Sequence, residues 1–106
     1  MVWVETDEYV GKLLHIESGH RLSLQYHRVK DEALFQHSGE LDLLLEDDAG
    51  QLVTRRLRKG DSVRILPGRR HRLTAVTTCE VLEVSTPQLE DVVRIEDDYG
   101  RLRDED

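Results

Sequence analysis

Short runs of alternating apolar and polar residues, cut by turn residues, repeat down most of the chain. Residues 10–16 read as a strand closed by Ser18-Gly19, and residues 21–27 form the most regular run. A run over 33–37 ends at Ser38-Gly39, and 41–46 then alternates cleanly. Asp47-Asp48-Ala49-Gly50 predicts a hairpin turn into 51–57, since Asp and Gly tolerate the backbone angles such turns demand. Lys59-Gly60-Asp61 precedes a strand over 62–66, Pro67-Gly68 turns the chain into 71–75, and 79–85 is apolar until Pro87 stops it. No segment before Pro87 carries a long 3.6-residue period, so the pattern predicts an all-β sandwich or barrel. Residues 89–99 fit a short helix or an extended arm, and periodicity does not choose between them.

The run 21–27 divides by parity. Leu22, Leu24 and Tyr26 fall on one face, and Arg21, Ser23, Gln25 and His27 on the other. A row of polar groups inside a barrel is costly unless the groups satisfy one another, water or a ligand. On this strand alone, a lined cavity and the solvated outside of a sheet are equal readings.

Composition narrows the class. With 106 residues, 38% hydrophobic and 35% charged, the chain is expected to form one domain over 1–106 with a modest core and a strongly solvated exterior. The formal net charge of −7 argues against nucleic acid as a partner, because phosphate backbones need a basic face. A small anionic ligand needs only a few well-placed cations and stays open. Cys79, the single cysteine, allows no intrachain disulfide and is expected to be a small buried hydrophobe. No apolar run is long enough to span a bilayer and no secretory leader is visible, so a cytoplasmic protein with no membrane partner is expected.

Two spacings carry the chemistry. Gly19, five residues, Gln25-Tyr26-His27, four residues, Glu32, six residues and Gly39 resemble the first motif of the cupin superfamily, with Gln25 where a histidine is usual. Gly60, five residues, Leu66-Pro67-Gly68, two residues and His71 resemble the second motif, with Leu66 and Ala75 in place of proline and asparagine. The resemblance implies a cupin-type double-stranded β-helix (a jelly-roll barrel) with a short C-terminal arm. It also implies one divalent metal held by Gln25, His27, Glu32 and His71. Two imidazoles, an amide oxygen and a carboxylate suit zinc foremost, with manganese, iron, cobalt and nickel also accommodated. The bland alternative is a barrel that uses these residues as buried polar filler.

From Gly19 to His27, at Gly60-Asp61-Ser62-Val63, at Pro67-Gly68 through His71, and over 79–87 and 90–101, the chain looks like one family in particular. It resembles the C-terminal cupin domain of type II phosphomannose isomerases, found in bifunctional mannose-1-phosphate guanylyltransferase/mannose-6-phosphate isomerase enzymes. The chain lacks the Pro-Trp-Gly lead-in of that domain, and Ala33-Leu34-Phe35-Gln36-His37 is unusual for it. The resemblance implies interconversion of mannose 6-phosphate and fructose 6-phosphate by proton transfer through an enediol, on a metal that stabilises developing negative charge. Arg21, sharing a strand face with Gln25 and His27, is the first candidate for the substrate phosphate, and Arg94 the second. For either, an ordinary salt bridge is the plain alternative.

A non-catalytic cupin binding a sugar or nucleotide-sugar is the second functional reading. An iron-dependent oxygenase using His27, Glu32 and His71 is the third, ranked last because Gln25 would fill a position that oxygen chemistry needs open. The Arg69-Arg70-His71-Arg72 cluster either steers anions or is solvated surface. His15, His20 and His37 lack ligand spacing and read as surface histidines. Asp97-Asp98-Tyr99-Gly100 reads as a turn tying the tail to the barrel. Cupins commonly pair through outward apolar faces, so a homodimer is expected through Leu22, Leu24 and Tyr26.

Overall fold

A computed structural model describes residues 1–100; Arg101 and the acidic residues Asp104, Glu105 and Asp106 lie outside the described residues. Ten strands are present among them: β1 Val2–Glu5, β2 Val10–Ile16, β3 Leu24–Tyr26, β4 Glu32–Ser38, β5 Leu41–Glu46, β6 Leu52–Leu57, β7 Ser62–Ile65, β8 His71–Ala75, β9 Cys79–Ser85 and β10 Val93–Glu96. They form two antiparallel five-stranded sheets, ordered β1-β2-β9-β4-β7 and β10-β3-β8-β5-β6. This is the all-β, cupin-type double-stranded β-helix the motifs imply. The described residues include no helix long and apolar enough to cross a membrane.

Alternation sets which side chains enter the barrel. Along β4, Glu32, Leu34 and Gln36 are buried while Ala33, Phe35 and His37 are exposed. Along β9, Cys79, Val81, Glu83 and Ser85 are the buried set. Leu41, Leu43 and Leu57 from the second sheet are fully buried against Ile16, Leu34, Ile65 and Val81 from the first. Each such leucine stabilises the fold by about 1.5–3 kcal/mol over leaving it in water. Gly39 turns β4 into β5 with φ +69°, where a side chain would strike the Thr78 carbonyl. Only glycine fits a left-handed turn against another backbone.

The region 21–27 departs from the expected single strand. Arg21 bridges to Thr74 and Gln25 pairs with His71, so four steps on one chain oppose three on the other. That extra residue is a bulge, and it breaks strict alternation: Ser23 and Leu24, neighbours in sequence, are both buried. Leu24 is 8% exposed and Leu22 packs against the core, so these two do not form the outward apolar face expected for pairing. The stretch 89–99, left between helix and arm, contributes β10, which pairs with β3. Cys79 is buried, and burial pushes its thiol up against the pull of a hydrogen bond from Gln36.

Candidate metal centre

The inward positions change character along the barrel. On β8 the alternate positions that share one face run Ala75, Leu73, His71, all buried, and on β9 they run Cys79, Val81, Glu83, Ser85. The polar end of that series meets Glu32 from the start of β4 and His27 from the loop after β3. His27, Glu32 and His71 are 5%, 4% and 2% exposed, and one donor atom of each lies within 4.8 Å of the others.

Their orientation is set by main-chain carbonyls. His27 Nδ1 faces the Asp91 carbonyl at 2.5 Å and His71 Nδ1 faces the Arg69 carbonyl at 2.9 Å. A carbonyl can only accept, so both Nδ1 atoms carry a proton, and each ring turns its Nε2 inward. These nitrogens meet one carboxylate oxygen: Glu32 Oε1 is 3.3 Å from His27 Nε2 and 3.2 Å from His71 Nε2. His27 Nε2 is fully buried with no hydrogen-bond partner among the described residues. Two imidazole nitrogens and a carboxylate oxygen facing one another inside a barrel are matched either by protons on the rings or by a metal ion between them. A metal with bonds of about 2.1 Å spaces adjacent ligands about 3.0–3.4 Å apart in octahedral or tetrahedral geometry, which matches these separations. The donor set therefore fits a divalent ion.

The loop that delivers His27 is pinned from the C-terminal arm. The Asp91 carboxylate accepts from the backbone N–H groups of Arg28, Val29 and Lys30 at 3.1, 2.7 and 2.9 Å. Burial raises the Asp91 carboxyl, but those three donors outweigh it and hold it below its usual range. The turn before His71 is tied to the same place, because Gly68 N–H donates to the His27 carbonyl at 2.6 Å. Orientation of histidine ligands by carbonyls is a recurrent feature of metal sites.

Behind Glu32 lies a buried ladder of charge. Lys30 Nζ is 3.6 Å from Glu32 Oε2 and 3.2 Å from Glu83 Oε2, and Lys12 Nζ is 3.9 Å from Glu83 Oε2. Burial pushes the Glu32 carboxyl up, yet hydrogen bonding with His27 and His71, then the charges of His71 and Lys30, hold it well below the carboxylate range. Glu83 moves the other way, raised by burial and by the charge of Glu32 against the pull of Lys30 and Lys12.

The remaining candidates divide. Gln25 sits opposite His71 on β3, and its side-chain oxygen accepts from Ser23 Oγ at 2.7 Å. Arg94 sits opposite Gln25 on β10, so Arg94, Gln25 and His71 form a row across three adjacent strands. Arg94 is half-buried, and its Nε is fully buried without a hydrogen-bond partner among the described residues. Arg21 is different. It is exposed and its guanidinium donates to both oxygens of Asp98, at 2.7 and 3.0 Å. The bulge after Arg21 removes it from the face it was expected to share with Gln25, and the ordinary salt bridge is what the structure shows.

The arginines flanking His71 are also structural. Arg69 reaches Asp48, Arg70 reaches Glu46, and the buried Arg72 binds the Leu22 carbonyl and Glu96. His15 is exposed beside Glu17, and His20 and His37 are exposed. Asp98 forms the expected tie to the barrel through Arg21. Two surface hollows, of about 340 and 300 Å³, are lined by neither His27 nor His71; the first touches the site only at Glu32.

Solved structures of similar architecture include a cupin and a double-stranded β-helix protein. The chain superposes on KdgF from Halomonas sp. with a TM-score of 0.75, at 20% identity over 86% of this chain and 79% of that one. An RmlC-like cupin from Shewanella frigidimarina gives 0.71, at 21% identity over 82% and 73%. An oxalate decarboxylase variant from Bacillus subtilis gives 0.76 at 16% identity, over 85% of this chain but 25% of that one. No protein-family model and no curated protein sequence matches the chain. The likeness establishes the fold, and enzymes are among its bearers.

Proposed function

We infer that this protein is a metal-dependent cupin enzyme acting on a small anionic sugar, with phosphomannose-type isomerisation as the reaction. One observation supports the metal: two buried imidazole Nε2 atoms, their Nδ1 atoms turned to main-chain carbonyls, converge with one carboxylate oxygen at 3.2–3.3 Å. Gln25 is the fourth ligand in this reading, on the strength of its register with His71. A divalent ion here, zinc foremost, would act as a Lewis acid toward sugar oxygens. The chain's own residues then have separate tasks. Asp91 and Arg69 carbonyls hold the two rings, and Arg94 supplies the buried donor for a phosphate oxygen. A cytoplasmic homodimer, acting on a small molecule rather than on nucleic acid or membrane, completes the reading.

A second reading is a metal-containing cupin that binds a sugar or nucleotide-sugar without turning it over; it needs only the ligand set His27, Glu32 and His71 and no separate base. The test couples elemental analysis to an assay following mannose 6-phosphate and fructose 6-phosphate, with His71→Ala as control. About one metal per chain with turnover lost in the variant is the expected result. Metal without turnover selects the binding module. Protein that takes up no zinc, manganese or iron overturns both.

A further inference from the structure

We propose that Lys30, braced by Glu83, is a positioning residue that restricts Glu32 to a single-oxygen grip on the metal. This rests on the metal reading above and adds to it a residue outside the ligand set. The two oxygens of Glu32 have different neighbours. Oε1 faces His27 and His71, whereas Oε2 is 3.6 Å from the Lys30 ammonium. A carboxylate that chelates must turn both oxygens to the ion, and the cation on Oε2 opposes that rotation.

Lys30 is itself held in place. It is 4% exposed, its backbone N–H is bound by Asp91, and its Nζ is 3.2 Å from Glu83 Oε2. A lysine this enclosed is stable only when its charge is matched, and Glu83 matches it from the neighbouring strand. Lys12 offsets the remaining charge from the rim, 3.9 Å from the same oxygen of Glu83. Two lysines thus balance two glutamates, and an incoming divalent ion keeps its full charge. The buried cation also repels that ion, so affinity is traded for a strongly polarising centre with one fewer carboxylate oxygen bound.

Cobalt(II) binding tests this directly, because its visible absorption weakens as coordination number rises. The wild-type protein is titrated alongside Lys30→Met and the paired variant Lys30→Met/Glu83→Leu, which removes the buried ion pair together and leaves Lys12 at the rim, where water reaches it. Release of Oε2 is expected to lower the band intensity about twofold or more in both variants. Loss of the repelling charge in Lys30→Met alone is expected to tighten binding roughly tenfold or more. Lys30→Arg should restore the wild-type spectrum. Should Lys30→Met fail to fold, the paired variant decides. Spectra in the variants identical to wild type would overturn the assignment while leaving the metal centre intact. A wild-type protein that binds no cobalt would instead remove the metal reading, and this inference with it.

Discussion

The two ends of the barrel interior are built from the same strands and the same alternation, yet they obey different rules. At one end Leu41, Leu43 and Leu57 are fully buried beside Ala75 and Cys79. Four residues along β8, and four to six along β9, the same inward positions hold His71, Glu83 and Ser85. The apolar end gains from leaving water. Burying the polar end costs free energy, recovered only where charges and lone pairs are matched. Fold stability is therefore expected to reside at one end and ligand chemistry at the other.

The largest expected effect probes the apolar end. Leu43→Ala should destabilise the protein by about 2–5 kcal/mol, read by chemical denaturation, while cobalt affinity stays within a few-fold of wild type. A parallel collapse of metal affinity would show that the two ends act as one unit. Next comes metal loading itself. Zinc at about a hundredfold over its Kd should add about 2.7 kcal/mol and raise Tm by on the order of 10 °C, and a chelator should reverse this. A Tm indifferent to zinc, manganese and iron alike would turn the polar end into filler.

How much of this contrast is legible before folding follows from how local each feature is. Strands β2, β5, β8 and β9 coincide with the runs read from alternation, because each is flanked by its own turn residues. The short edge strand β1 carries no comparable signal, and β10 depends on its partner β3. His27, Glu32 and His71 are visible through their spacing from Gly19, Gly39, Gly60 and Gly68. Lys30, Glu83 and Asp91 are not. Asp91 meets the loop it pins across more than sixty residues of chain, and Glu83 meets Lys30 across five intervening strands, β4 to β8. A charged residue inside a strand otherwise read as apolar, as Glu83 is, was the available signal.

A smaller effect tests the link between the arm and the polar end. Asp91→Ala removes the carboxylate that accepts from three backbone N–H groups but leaves every candidate ligand in place. Metal affinity should fall about 10–100-fold, the range for losing an outer-shell support, with β-sheet circular dichroism unchanged. Equal affinity would mean that the main-chain carbonyl alone holds His27.

The smallest effect separates two arginines that looked alike in the sequence. Arg21 is exposed and spent on Asp98, so Arg21→Ala should leave metal binding, Tm and KM for mannose 6-phosphate nearly unchanged. Arg94 lies in the row with Gln25 and His71, and its buried Nε lacks a partner. Arg94→Ala should raise KM about tenfold or more through loss of a charge-assisted contact, or weaken sugar-phosphate binding equally if the protein is a binding module. A reversed pattern, with Arg21 the sensitive position, would place the anion at the outer surface. The polar end would then be a metal site that substrate never enters.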